Sequence, residues 1–237
     1  NFLLSKKRAV SILQKIISAD LRIKFITPNG VSAKTLDEEL VVLLKKAGAL
    51  EISIAIESGS DFIRNEVYRK RITKEEILRS VRLCKKHNLP IRAFFMVGAP
   101  GENDESVQET ISLMKQIRIP SYINITTPYK GTPLYEHCLK TGLLKEEDCC
   151  SGRSIYIRLP MKNSKDYEKI IKWRRNLQLC NLLYSWKLIL FDPAFFNLNA
   201  LIRFFKGVVF SRPVSEDIFE GIFSRYMKMP EKSLPRK

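Results

Sequence analysis

Three short stretches combine residue types that do chemistry at the ends of parallel strands. They are Glu57-Ser-Gly-Ser60, Val97-Gly98 running on to Gly101-Glu102, and Thr127-Pro128-Tyr129-Lys130-Gly131. A strand-end carboxylate such as Glu57 can accept hydrogen bonds from ligand hydroxyls or pair with a neighbouring Lys or Arg. Glycines after a strand let backbone approach a ligand closely, and Glu102 is placed to support that loop. Thr127–Tyr129 offers backbone N–H and C=O groups, while Thr132 and Pro133 have the spacing of an N-cap and a first helical residue.

Other reactive residue types carry less. His87 and His137 lie in or beside helical stretches without ligand-spaced partners, so both read as solvated or packed histidines. The five cysteines, Cys84, Cys138, Cys149, Cys150 and Cys180, form neither C-x2-C nor C-x3-C-x2-C. They read as reduced thiols of a cytoplasmic protein.

The elements that must hold these groups follow one rhythm. Lys6–Ser18 has helical apolar spacing, and Leu21–Ile26 alternates like a strand. Thr35-Leu-Asp-Glu38 has capping-box spacing for a helix that stops at Gly48, and Ile52–Ile56 forms the next strand. A second capping box, Thr73-Lys-Glu-Glu76, opens a helix to Lys86, ahead of the nearly all-apolar strand Ile91–Val97. A helix from Asp104 to Gln116 precedes the strand Tyr122–Thr126. Strand, helix and strand at this interval predict right-handed crossovers in a parallel sheet or barrel, with function at the strand ends.

Composition sets the limits. With 237 residues, 45% hydrophobic and 28% charged, the chain can bury a sizeable core, which excludes global disorder. No run of 18 uninterrupted apolar residues occurs. The net charge is +16, and residues 151–237, with 17 Lys+Arg against 7 Asp+Glu, hold +10 of it. Such an excess attracts phosphates, in nucleic acid or on an anionic membrane, without choosing between them.

I-A-I-E-S-G-S at 54–60, F-F-M-V-G-A-P-G-E at 94–102 and T-T-P-Y-K-G-T-P-L-Y at 126–135 together resemble the radical SAM superfamily, in the style of members associated with a cobalamin-binding domain. The resemblance covers residues 1–145 and implies an α/β fold, a partial (β/α)6 TIM-like barrel holding the third to sixth strands. Residues 146–237 are expected to form a basic, aromatic, helical C-terminal extension. The cluster-binding loop with C-x3-C-x2-C is absent and Asn1 is no translational start, so the chain is expected to be a C-terminal fragment supplying the nucleoside-binding half.

The implied cofactors are S-adenosyl-L-methionine and a 4Fe-4S cluster with ligands outside this chain; cobalamin is a further candidate. The implied reaction cleaves S-adenosylmethionine to a 5′-deoxyadenosyl radical that abstracts a substrate hydrogen, with a one-electron donor as partner. By the same resemblance, Glu57 and Ser58 meet the ribose, Val97 and Gly98 the adenine face, and Thr127, Pro128 and Tyr129 the adenine edge. No residue is assigned a catalytic or metal-ligating role. Each site has a plainer reading beside it: Glu57 as one half of an ion pair, Phe94, Phe95 and Met96 as core packing, and Thr127–Tyr129 as the turn before a helix. Arg92 alternates with Ala93, Phe95 and Val97, which is taken to turn it away from the barrel interior.

In the extension, Tyr167–Phe191 reads as helical. Phe195-Phe196 and Leu201–Lys206 mix apolar bulk with cations, which suits peripheral contact with an anionic membrane, cover over a partner or a lipid-like substrate, or packing on the barrel. The substrate is expected to be a small or lipid-like molecule. RNA ranks last, because the tail shows no recognisable nucleic-acid motif. The alternative to an enzyme is a cluster-less protein that binds a nucleoside or an anionic surface.

Overall fold

The computed structural model describes residues 2–142 and 164–191, with side chains over 168–184 in the second stretch. Cys149, Cys150, Phe195, Phe196, Leu201–Lys206 and the 145/146 division therefore lie outside the described residues, as do the side chains of Trp186 and Lys187.

Four strands, β1 (Phe25–Ile26), β2 (Ala49–Glu57), β3 (Ile91–Val97) and β4 (Ser121–Ile125), form one parallel sheet in the order β1-β2-β3-β4. Helices α1 (Lys6–Ser18), α2 (Glu38–Lys46), α3 (Lys74–Lys86), α4 (Asp104–Ile117), α5 (Pro133–Lys140) and α6 (Ser164–Phe191) accompany them. Sequential order with a helix in each crossover winds the sheet one way, and it curls into the expected half-barrel. Register runs Ile52↔Ile91 to Ala55↔Phe94 between β2 and β3, and Ala93↔Ser121 to Val97↔Ile125 between β3 and β4.

One face of the sheet holds the core. Ile52, Ile54, Ile56, Ala93, Phe95 and Val97 are fully buried against Leu13, Leu40, Leu44, Ile77, Val81, Leu113 and Met114 of the helices. Each such aliphatic side chain contributes about 1.5–3 kcal/mol on burial. Among the described residues no helix covers the other face, which is the inner face of the half-barrel. Arg92 lies there, which corrects the expectation drawn from alternation: Ala93, Phe95 and Val97 point at helices, so their opposite faces inward. Arg92 pairs with Glu51 through Nε and Nη2 at 3.0 and 2.9 Å and sits 4.6 Å from the Tyr122 ring centroid. Phe94 stacks on Tyr122 with centroids 5.4 Å apart, so of the three bulky residues 94–96 only Phe95 is wholly in the core.

Two predicted boundaries move. Leu21–Lys24 is not a strand, because Leu21 and Ile23 donate to Ile16 and Leu21 carbonyls nearby and only Phe25 reaches across to Gly48. Thr35 does not cap α2: its hydroxyl donates to the Ser32 carbonyl inside a short 3-10 turn, and Asp37 accepts from the Leu40 N–H instead. The Thr73–Glu76 capping box and the Thr132–Pro133 helix start stand as read. His87 ends α3 and its Nε2 lies 2.9 Å from Glu38.

Helix α6 packs on the barrel. Ile170, Trp173, Leu177 and Cys180 repeat on one stripe and enter the core. Asn181 accepts from the Ser121 N–H at 2.8 Å and donates to its C=O at 2.7 Å, while Arg174 Nε donates to the Ile123 carbonyl. These side chains occupy hydrogen-bonding groups on the edge of β4 that another strand would otherwise use.

Candidate cofactor-binding site

The carboxyl ends of β2, β3 and β4 converge under a strap, residues 58–73, that leaves β2 and returns to α3. Its anchor is Arg64, on a π-helical turn (Ile63–Val67) and only 1% exposed. Its guanidinium donates to the carbonyls of Ile72, Ser58 and Gly59 at 3.0–3.1 Å and to Asp61 at 2.5 Å. Burial pushes the Arg64 pKa down and the Asp61 charge opposes this. Gly59 sits flat on α4: a Cβ there would lie 2.3 Å from the Thr110 Cα, so only glycine fits.

Glu57 ends β2 beyond a register irregularity, with φ at +70°, a conformation that costs a non-glycine residue energy and needs surrounding support. Its Oε1 lies 2.5 Å from Lys70 Nζ of the strap. The ion pair anticipated as the plainer reading is thus present. A carboxylate offers about four acceptor directions, so one ammonium leaves capacity for two ligand hydroxyls. Ser58 is wholly buried, its hydroxyl bonded to Thr110 and to the Ser60 N–H. That places Ser58 in the support beneath the site rather than at its surface.

Val97 is buried on the core face at the end of β3. Gly98, at φ +90°, faces Ile170 of α6, whose Cδ1 would be 3.1 Å from an added Cβ. The space that glycine opens is therefore filled by α6. Glu102 accepts from the Gly98 and Ala99 N–H groups at 2.5 and 3.2 Å and holds the loop, as anticipated. Burial raises its pKa, against those two N–H bonds.

At the end of β4, Thr126 is buried and its N–H donates to the Val97 carbonyl. Thr127 follows half-buried, Pro128 buried and Tyr129 about half exposed. The Tyr129 carbonyl already accepts from the Thr132 N–H and hydroxyl, so it is committed to the turn. Tyr68 of the strap bonds Thr126 Oγ1 through its hydroxyl. Burial pushes the Tyr68 pKa well up; the Thr126 bond opposes this, and the charges of Glu102 and Glu57 add to it. Tyr68, Lys70, Arg64 and Thr126 were not legible as site residues, because they reach it only through the strap and strand ends.

Among the described residues no three His, Cys, Asp or Glu side chains are grouped to hold a metal ion. Cys84, Cys138 and Cys180 are buried; burial pushes the Cys84 thiol up to about 12 and the other two upward. The described residues thus offer no cysteine set for the 4Fe-4S cluster that the resemblance implies.

Fold and site define an α/β half-barrel with its polar groups gathered at the carboxyl ends of parallel strands. The family model of the Radical SAM superfamily matches residues 2–114 of this chain. An uncharacterized methyltransferase of Pyrococcus horikoshii is 33% identical over 144 residues, covering 60% of this chain and 31% of the relative. Cytidylyl-2-hydroxyethylphosphonate methyltransferase of Streptomyces wedmorensis is 24% identical, covering 54% and 26%. tRNA-2-methylthio-N(6)-dimethylallyladenosine synthase of Bacillus cytotoxicus is 33% identical, covering 47% and 22%. The chain thus spans less than a third of the length of these curated relatives. Among solved structures, the radical S-adenosylmethionine methyltransferase TsrM from Kitasatospora setae, with cobalamin and a [4Fe-4S] cluster bound, aligns with a TM-score of 0.50 at 19% identity. It covers 73% of this chain and 36% of TsrM, a likeness of fold. Among the described residues no helix is long and apolar enough to cross a membrane.

Proposed function

We propose that this chain supplies the nucleoside-binding edge of a radical S-adenosylmethionine enzyme that transfers a methyl or related one-carbon or sulfur-bearing group to a small-molecule substrate. The observation that carries the reading is Glu57, a supported strand-end carboxylate in the left-handed region, aimed beside Lys70 where β2, β3 and β4 converge. S-adenosylmethionine, when bound, supplies methyl or radical chemistry; the chain's own residues bind and orient it. Glu57 accepts the ribose hydroxyls and Lys70 fixes its rotamer. Glu102 holds the Gly98–Ala99 backbone in place, and Thr127–Tyr129 presents the remaining backbone groups to the base. Ser58, Val97 and Pro128 support these positions from the buried side.

The methyltransferase relatives support the reaction class, and cobalamin together with a cluster and an electron donor belongs to the same proposal for the whole protein. A lipid-like substrate and contact of the basic 151–237 segment with anionic membrane rest on its charge alone.

The test is titration calorimetry of the purified chain with S-adenosylmethionine. Glu57→Ala removes charge-assisted hydrogen bonds and should weaken binding by roughly 2 kcal/mol, about 30-fold. Unchanged affinity in Glu57→Ala removes Glu57 from the site.

A further inference from the structure

The geometry points to Tyr68 as a positioning residue: through its hydroxyl on Thr126 it latches the strap over β2 to the end of β4, so that both walls of the nucleoside site move as one. The inference rests on the nucleoside reading above and adds a residue to it.

Tyr68 reaches the site from a segment that has no strand of its own. Its backbone N–H donates to the Ile63 carbonyl, and two residues on, the Lys70 N–H donates to the Arg64 carbonyl. The backbone at Tyr68 and Lys70 is thereby tied to the turn that carries the buried Arg64 anchor. Immediately beyond it, Arg69 and Arg71 both have positive φ, +54° and +53°, which turns the chain so that Lys70 faces Glu57. One short stretch therefore makes two contacts on two strand ends: Lys70 on Glu57 of β2 and Tyr68 on Thr126 beside β4.

Thr126 is one residue before Thr127, the first of the residues proposed to meet the adenine edge, and its own N–H is tied to β3 at Val97. The hydrogen bond between the half-buried Tyr68 hydroxyl and the buried Thr126 hydroxyl is directional. A ring that only filled space would need no hydroxyl. Binding of a nucleoside needs its ribose and base ends held at fixed separation, and Tyr68 is the side chain that couples the residues proposed for each.

The experiment is a double-mutant cycle in ligand affinity on the full chain, with S-adenosylmethionine as the probe. Tyr68→Phe and Thr126→Val each remove one partner and keep the volume. Each should weaken binding about fivefold, and the double variant should be no weaker than either alone. Asn181→Ala, which loosens the opposite end of β4 at Ser121, should lower thermal stability without changing affinity, separating positioning from general destabilisation. If wild type binds and Tyr68→Phe binds equally well, the latch is overturned while the site reading stands. Additive losses in the double variant also overturn it, since the two residues would then act separately. If wild-type protein fails to bind, the site reading itself falls and the latch with it.

Discussion

Replacing Arg64 by Met should unfasten the strap without emptying its space. The guanidinium is buried and donates to three carbonyls, but the Ile72 carbonyl also accepts from Asn65 Nδ2 at 3.0 Å and keeps that partner. The Ser58 and Gly59 carbonyls lose the donor that Arg64 provides. At roughly 2 kcal/mol for each buried acceptor left unpaired, Arg64→Met should cost about 4 kcal/mol, or about 10 °C in Tm for a protein of this size. The ion pair should matter little, because Asp61 is 79% exposed: Asp61→Asn should cost less than about 1 kcal/mol. Arg64→Lys should resemble Met, since one ammonium cannot span carbonyls that a planar fork reaches together. Urea unfolding followed by far-UV circular dichroism measures all three. A loss below about 1 kcal/mol in Arg64→Met would refute the clamp. Equal losses in Arg64→Met and Asp61→Asn would assign the strap to the ion pair instead.

Two glycines separate backbone strain from contact. Gly98→Ala and Gly101→Ala each force an L-residue to positive φ, about 1–2 kcal/mol, but only at Gly98 does the new methyl press on a close neighbour, Ile170, against 3.8 Å to Phe62 at Gly101. Thermal melts should therefore rank Gly98→Ala as the more damaging, and the reverse order would contradict the packing of α6 on this loop. Burial holds the Glu102 pKa above its ordinary 4.5, so its stabilising share is full below that pH and declines as pH rises through the folded-state value. Glu102→Gln lacks this slope, and its stability relative to wild type should improve from pH 4.5 toward 7. A flat or opposite trend in denaturation across that range would show the carboxylate to be favourably ionised in place.

The strands of the half-barrel were legible because the pattern is local. Ile91–Val97 is apolar but for Arg92, as suits a buried parallel strand, and Thr73–Glu76 marks a helix start by chemistry that spans four residues. Leu21–Lys24 alternates apolar and charged residues yet forms no ladder, since pairing depends on a neighbour's backbone and not on the pattern itself. Arg92 was misplaced for a related reason. Alternation says which residues share a face, but only the helices, by covering one face, decide which is inside.

By itself, then, the sequence determined the order of strands and helices, the three strand-end motifs and, through them, the resemblance to the radical SAM superfamily, because periodicity, capping and short motifs are written in adjacent residues. Tertiary structure alone decided that Ser58 points into support, that Gly98 makes room for Ile170, and that Arg64, Tyr68 and Lys70 bind the strand ends together. Those contacts join residues whose separation along the chain carries no period. Hydrogen bonds and ion pairs of this kind depend on a few ångströms of distance and on burial, which exist only once the sheet has curled and the helices have docked.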